Sequence, residues 1–356
     1  MRKFRDRDFI ESKEGMLFCV VGNTHPQNRV ISYLKYIPWR EEKVARLGWR
    51  KEGKEYGRIL PHYGASGVQA VKDYLQKQYP EYVYYDPYLN IEIIGVPLDK
   101  IKKHYKPEER AEEIIKNPQD SLEQIAAEII REISSKSKIP ISYFGITGSI
   151  LVKIHNPLFS DIDLIIYGRS NSIKVKQALA ELLESNVNFR RLNSHEIKKF
   201  ASEISRIHAL TFKEATILLR ERWYAGIYKN RFFSLHPVKL ENEVNEKYGS
   251  KIYRSKGMIT VKCTVTDAKE AIFLPCKYVV GEVEVIDGPK VKDIREVVSF
   301  EGLYCDVAKA GEKIYVKGKL EEVIDVSSGC KYHRIQVGSF EARGLDYIKP
   351  SRWLKT

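Results

Sequence analysis

Phe144-Gly-Ile-Thr-Gly-Ser149, followed after eleven residues by Asp161-Ile-Asp163, is the stretch that decides how this chain is read. An apolar run, Ile141 to Ile146, stops at a Gly-Ser turn. A short amphipathic segment (Ile150 to Ile154) and a polar loop (His155-Asn-Pro-Leu-Phe-Ser160) follow. The pattern then predicts a strand, Asp161-Ile-Asp-Leu-Ile-Ile-Tyr-Gly168. Strand side chains alternate faces, so Asp161 and Asp163 fall on one side while Ile162 and Leu164 face a core. Two carboxylates at the start of a buried strand are costly without positive charge beside them, which a divalent metal would supply.

The residue types fit phosphate chemistry. Gly148 lets backbone approach a ligand, and amides at a helix start suit a phosphate, with Thr147 and the Ser149 hydroxyl beside it. Asp161 and Asp163 offer the hard oxygens that Mg²⁺ or Mn²⁺ takes when it bridges the phosphates of a nucleoside triphosphate. Gly-Ser and Asp-x-Asp are each common by chance. Ordered as strand, turn, helix, loop and strand they are far more specific.

Upstream, residues 1–110 read as a small α/β module: a hairpin (Met16 to Val21, Arg29 to Tyr36), a helix from Gly67 to Lys77 and a strand from Leu89 to Gly95. Bases and aromatics interleave there at Arg40, Trp49, Arg50, Lys51, Tyr56, Arg58, His62 and Tyr63. They suit RNA by charge and stacking, or else a partly buried amphipathic surface. Asp120-Ser-Leu-Glu123 opens a helix with a stripe at Leu122, Ile125, Ala126, Ile129, Ile130 and Ile133. Beyond the Asp strand come a helix (Ile173 to Leu183), a strand (Val187 to Leu192) and a helical stretch (Ser194 to Leu219) broken near Leu210-Thr211. A hairpin ending in Arg231 to Pro237 closes this part. From Gly257 short strands recur: Met258 to Val265, Ala271 to Val285, Val297 to Tyr304, Lys313 to Val326 and Lys331 to Val337. Five in about a hundred residues predict a small barrel of OB type. The expected division is an N-terminal α/β module (1–110), a central phosphate-binding domain (111–245) and a C-terminal barrel (246–356), an α/β (α+β) multidomain chain.

Composition narrows the class. Of 356 residues, 43% are hydrophobic and 30% charged, which suits a folded protein rather than a disordered one. No apolar run approaches the ~20 residues of a membrane helix, and no signal-peptide core follows Met1-Arg-Lys-Phe-Arg, so a cytoplasmic protein with no membrane partner is expected. The net charge of +13 is spread, with surpluses of 6, 3 and 4 in the three segments. A diffuse basic surface favours a polyanion such as RNA, although a Lys/Glu-rich surface gives the same count. Cys19, Cys263, Cys276, Cys305 and Cys330 show no C-x-x-C spacing. They read as buried small hydrophobes or, alternatively, as disulfide partners.

Gly148-Ser149 followed by Asp161-Ile-Asp163 resembles the signature of the DNA polymerase β-type nucleotidyltransferase superfamily. With Gly145-Ile-Thr-Gly-Ser-Ile-Leu-Val, His155-Asn-Pro, Ser160-Asp-Ile-Asp and the opening Arg7-Asp-Phe-Ile-Glu11, the chain resembles an uncharacterised archaeal group of predicted nucleotidyltransferases. The resemblance implies a mixed sheet with helices, triphosphate binding by Gly148 and Ser149, and metal binding by Asp161 and Asp163. It implies transfer of a nucleoside monophosphate from an NTP, ATP among them, to the hydroxyl of an RNA end, a protein or a small molecule. The superfamily adds a third carboxylate on a later strand. Here that strand, Phe232-Phe-Ser-Leu-His-Pro-Val238, carries Ser234 and His236. His236 is a candidate ligand or a structural histidine. Glu196 and Glu221 are alternative acids, and Arg220 and Arg222 could neutralise triphosphate or RNA. The missing acid leaves open a nucleotide- or RNA-binding protein that keeps the fold without turnover. An antitoxin-like role is the third reading, against which the two extra domains count.

Overall fold

In a computed structural model the chain is described over residues 2–39, 46–51 and 53–354. It mixes α and β, with three sheets and eight α-helices among the described residues. It divides into two compact units, each built from separated segments: Met1–Pro61, Ile94–Leu192 and Arg222–Asn245 in one, His62–Ile93, Asn193–Glu221 and Glu246–Thr356 in the other.

The first unit holds two sheets. An antiparallel sheet runs in the order Arg46–Lys51, Lys54–Arg58, Arg29–Pro38, Leu17–Val20, Phe9–Ser12, Ile101–Tyr105. A five-stranded mixed sheet runs in the order Phe189–Arg190, Ala225–Tyr228, Arg231–Val238, Ile162–Tyr167, Phe144–Thr147. Ile162–Tyr167 is an interior strand, fourth in that order, fully buried on its apolar side, antiparallel to Phe144–Thr147 and parallel to Arg231–Val238. Parallel neighbours need a crossover, and the helix Arg169–Ser185 begins it. The helix Ser121–Ser137 starts as its capping residues predict: Asp120 accepts from the Leu122 and Glu123 amides, both at 2.9 Å. Of its stripe, Leu122, Ala126, Ile129, Ile130 and Ile133 are fully buried and Ile125 is half-buried.

The expected division at 110 differs from this. Phe9, Leu17, Tyr36 and Trp49 of the N-terminal sheet share one core with Leu151, Val152 and Ile154, which follow the Gly-Ser turn. Arg2 bridges Asp8 and Glu108, and Tyr167 donates to Glu108 at 2.8 Å. Apolar burial and ion pairing thus join residues 1–61 to the Asp strand. The boundary at 245 coincides with an edge of the units.

In the second unit Lys251–Asp267, Cys276–Asp287, Ile294–Ser299, Lys331–Val337 and Lys313–Asp325 neighbour one another in that order, and the last returns to pair with the first. The ring is closed, with one parallel contact between Ile294–Ser299 and Lys331–Val337. Tyr347–Pro350 adds a strand beside Lys313–Asp325. The second strand starts at Cys276 rather than Ala271, since Pro275 has no amide for a ladder. The helices Ser194–Ile207 and Phe212–Glu221 belong to this unit, with the break where the sequence put it. Lys349 pairs with Glu214 at 2.9 Å, and Arg352 with Glu221 at 2.8 Å. Tyr253 donates from its amide to the Tyr88 carbonyl at 2.8 Å, tying in residues 62–93.

Cys19, Cys263 and Cys276 are buried strand thiols, Cys305 is half-buried and Cys330 exposed; none is in a disulfide. No helix of the described residues is long and apolar enough to cross a membrane.

Candidate functional site

Gly148 must be glycine. Its φ of +69° is left-handed, and a Cβ there would stand 2.6 Å from Asp163 Oδ2. The turn therefore brings bare backbone against the carboxylate, which is how the two halves of the motif meet. Asp163 is flanked in register by Thr147 on one strand and Ser234 on the other. Ser234 Oγ donates to Asp163 Oδ1 at 2.6 Å and lies 2.9 Å from His236 Nε2. His236 Nε2 is 3.8 Å from Asp163 Oδ1. Asp163 keeps 31% of its side chain exposed, Asp161 is exposed just before the strand, and Ser149 is buried.

Two cations from the N-terminal segment act on this site. Burial would raise the Asp163 carboxyl, but the adjoining His236 imidazole, the charge of Lys35 and the Ser234 hydroxyl hold it well below the usual carboxylate range. Burial and the charge of Arg7 push the His236 imidazole down to about 4, against the pull of Asp163. At neutral pH the pair is a carboxylate beside a neutral imidazole. The Thr147 hydroxyl donates to the Arg7 carbonyl at 2.7 Å, so it anchors the N-terminal segment and is not aimed at a ligand. Arg7 holds a φ of +69° and its guanidinium faces Asp6 at 3.4 Å. Lys35 is 6% exposed, with its ammonium over the Phe9 and Tyr36 rings.

Arg7 and Lys35 were missed as site residues because their contribution is tertiary. One local signal existed: Lys35 interrupts the apolar run of Arg29–Pro38, where a buried lysine needs a purpose.

Of the other expected residues, Arg222 stacks its guanidinium on Tyr224 at 5.3 Å in the first unit, and Arg220 is exposed on a helix of the second. Glu196 forms a capping box with Asn193, and Glu221 binds Arg352 and Trp353, which accounts for both alternative acids. In the N-terminal set Trp49 and Tyr56 are core residues, 5% and 4% exposed, so they offer no stacking face. Arg50 pairs with Glu55, Lys51 with Glu11 and Tyr105, Arg58 donates to the Leu60 carbonyl, and His62 lies 2.8 Å from Ser66. Tyr63 is half exposed; Arg40 lies outside the described residues.

Asp120, Glu123 and His155 form another group whose donor atoms lie within 4.8 Å of one another and could hold a metal ion. The carboxylates and His155 Nε2 already have partners, while His155 Nδ1 is buried with none. Asp120 caps its helix and bonds His155 Nε2 at 2.7 Å, and Glu123 binds Arg110 and the Gln119 amide. Arg110 also donates to the Ile150 carbonyl at 3.1 Å, which braces the short helix after the Gly-Ser turn. The cluster reads as a clamp.

No protein-family model matches the chain, and no solved structure matches it. It is similar to a protein of Methanocaldococcus jannaschii, "Uncharacterized protein MJ1086", with 32% identity over 355 residues that span 98% of this chain and all of that one. Identity at that level along the whole length makes this chain a member of the MJ1086 family.

Proposed function

We propose that the chain is a template-independent nucleotidyltransferase that uses Mg²⁺ or Mn²⁺ to move a nucleoside monophosphate from an NTP to an acceptor hydroxyl. The observation that carries this reading is the approach of Gly148 backbone to Asp163 on an interior strand of a mixed sheet. The strand order around Asp163 suits a polymerase β-like core, and the closed ring with one parallel contact suits an OB-type barrel. The turn at Gly148 and Ser149 would cradle the terminal phosphates. Asp161 and Asp163 would hold the metal, with His236 a further ligand; carboxylates two residues apart, one exposed and one part-exposed, are the hard oxygen donors such an ion takes. When bound, the ion would acidify the acceptor hydroxyl and offset charge at the transferred phosphorus. The acceptor oxygen bonds to the α-phosphorus as the bond to the β-phosphate oxygen breaks, releasing pyrophosphate. Arg7 and Lys35 would add fixed positive charge, a preorganised electrostatic contribution. An RNA end, a protein side chain or a small molecule are the acceptors this chemistry admits, in the cytoplasm.

One observation favours a second reading. Ser234 stands in register with Asp163, where a third carboxylate would complete the ligand set. A nucleotide- or RNA-binding protein without turnover would have this site. Incubation with labelled NTPs, Mg²⁺ or Mn²⁺ and total RNA, beside an Asp161→Ala/Asp163→Ala variant, separates the two. Label on RNA or protein with wild type alone supports transfer. Metal-dependent NTP binding without transfer supports the second reading, and metal-independent binding with no label sinks both.

A further inference from the structure

Two cysteines of the second unit lie on facing sides of one seam. Cys276 opens the strand Cys276–Asp287, and Cys305 follows the short helical turn Gly302–Tyr304. The segments around them are held together by bonds that do not involve sulfur. The Asp306 amide donates to the Ala271 carbonyl at 2.9 Å, and Tyr278 Oη donates to the Tyr304 carbonyl at 2.6 Å. The Val307 amide donates in turn to Tyr278 Oη at 3.0 Å. The thiols reach across the same seam in opposite directions. Cys276 Sγ donates at 3.4 Å to the carbonyl of Tyr304, the residue before Cys305. Cys305 Sγ donates at 3.3 Å to the carbonyl of Phe273, just upstream of Cys276. Each sulfur thus lies against the other's backbone, and the two thiols are within hydrogen-bond reach of each other. Thiols are weak donors, so little is lost when their protons leave. The two differ in access, since Cys276 is fully buried and Cys305 is half-buried. An oxidant meets Cys305 first, and Cys276 stands behind it where a resolving thiol belongs.

We infer that Cys276 and Cys305 are an oxidisable thiol pair, which a small-molecule disulfide closes into an intramolecular bond that staples this seam of the barrel unit. The Cys305 thiolate attacks one sulfur of the external disulfide and expels the other half as a thiolate. Cys276 then gives up its proton, its sulfur attacks Cys305 Sγ, and the second half leaves as a thiolate. Two cysteines are oxidised and one external disulfide is reduced to two thiols, so one S–S bond replaces another. The loop so closed, of roughly 30 residues, restricts the unfolded chain and thereby stabilises the folded one.

The test exposes the reduced full chain to oxidised glutathione under native conditions, followed by peptide mapping and thermal melts. The expected product carries peptides joined through Cys276 and Cys305, with no glutathione retained at either residue. Its melting temperature should rise by about 5 °C or more, and dithiothreitol should reverse the gain. Cys305→Ser, established as folded by circular dichroism, should acquire neither the link nor the shift. Cys330→Ser should keep both, because that exposed thiol sits on the turn between Lys313–Asp325 and Lys331–Val337. Glutathione held on Cys305 while Cys276 stays reduced overturns the inference. Both thiols surviving the oxidant, or Cys305 linked to any other cysteine, overturns it as well. A Cys276–Cys305 link that leaves the melting temperature unchanged overturns the staple.

Discussion

Ser234 and Asp163 stand opposite each other on parallel strands, and the serine hydroxyl donates to the aspartate at 2.6 Å. A carboxylate introduced as Ser234→Asp would face Asp163 across that gap. Without metal the pair repels, and a loss on the order of 1–3 kcal/mol is expected. Added Mg²⁺ should restore most of it, because an ion that binds only the folded state stabilises by mass action. Thermal melts with and without Mg²⁺ check this. A variant as stable as wild type in chelator, or unresponsive to Mg²⁺, would show that position 234 does not face the metal site.

Gly148 allows no side chain. Gly148→Ala forces a left-handed alanine, at roughly 1–2 kcal/mol, and pushes the new methyl into Asp163 Oδ2. Urea denaturation should show a loss of that order, and titration with a metal–nucleotide complex should show binding weakened at least tenfold. Intact binding with reduced stability would separate the turn from the site.

The pH dependence of stability carries the signature of His236. Its ordinary value is near 6.5 and the folded value about 4. Between those values the unfolded chain binds a proton that the folded chain refuses, so stability is complete above pH 6.5 and falls as the pH drops towards 4. By linkage the loss reaches about 3 kcal/mol. His25, pushed down to about 4 chiefly by burial, acts in the same direction, while Asp6, raised to about 6 chiefly by burial, opposes both. The informative quantity is therefore the stability difference between wild type and His236→Gln. Denaturant melts should show wild type losing its advantage between pH 6.5 and 4. A difference constant with pH would contradict the environment described for His236.

How far the sequence carried the reading follows from where the physics is local. Gly148, the Asp strand and the Asp120 cap were legible because turn conformation, strand alternation and capping act over a few residues. The barrel strands were legible for the same reason, although Pro275 shortened one of them. Arg7 and Lys35 were not, since a charge that reaches Asp163 from another sheet leaves no spacing to count. Trp49 and Tyr56 misled as RNA candidates because interleaved bases and aromatics look alike whether the rings are buried or exposed. The units themselves were illegible at 110, where Leu151, Val152 and Ile154 join a core begun by Phe9 and Leu17.

The Asp120 clamp makes a prediction about chelation. Asp120→Ala removes a helix cap and should cost about 1 kcal/mol. As the Asp120 and Glu123 carboxylates and His155 Nε2 are already partnered, the loss should be the same with and without a chelator in the melt. A wild-type chain destabilised by chelator, with the variant insensitive to it, would establish a structural metal at that cluster instead.

The barrel holds three buried charges in a line. Glu321 accepts from Arg334 Nε at 2.7 Å and pairs with Lys319 at 3.0 Å, and all three are under 8% exposed. Arg334 also lies over the Tyr253 ring at 3.5 Å. Burial alone would raise the Glu321 carboxyl, yet the two cations lower it. Glu321→Gln keeps the shape and removes the charge, taking from Arg334 its hydrogen-bonded carboxylate and leaving Lys319 with Glu341 at 3.3 Å. Leaving buried cations uncompensated costs about 3–5 kcal/mol, enough to unfold a marginal barrel. Guanidinium denaturation of the full chain should show that loss. Lys319→Met with Glu321→Leu and Arg334→Met should recover most of it, since an apolar trio of similar volume needs no counter-charge. A triple variant as unstable as Glu321→Gln would mean that the charges are kept for a geometry that apolar packing cannot reproduce.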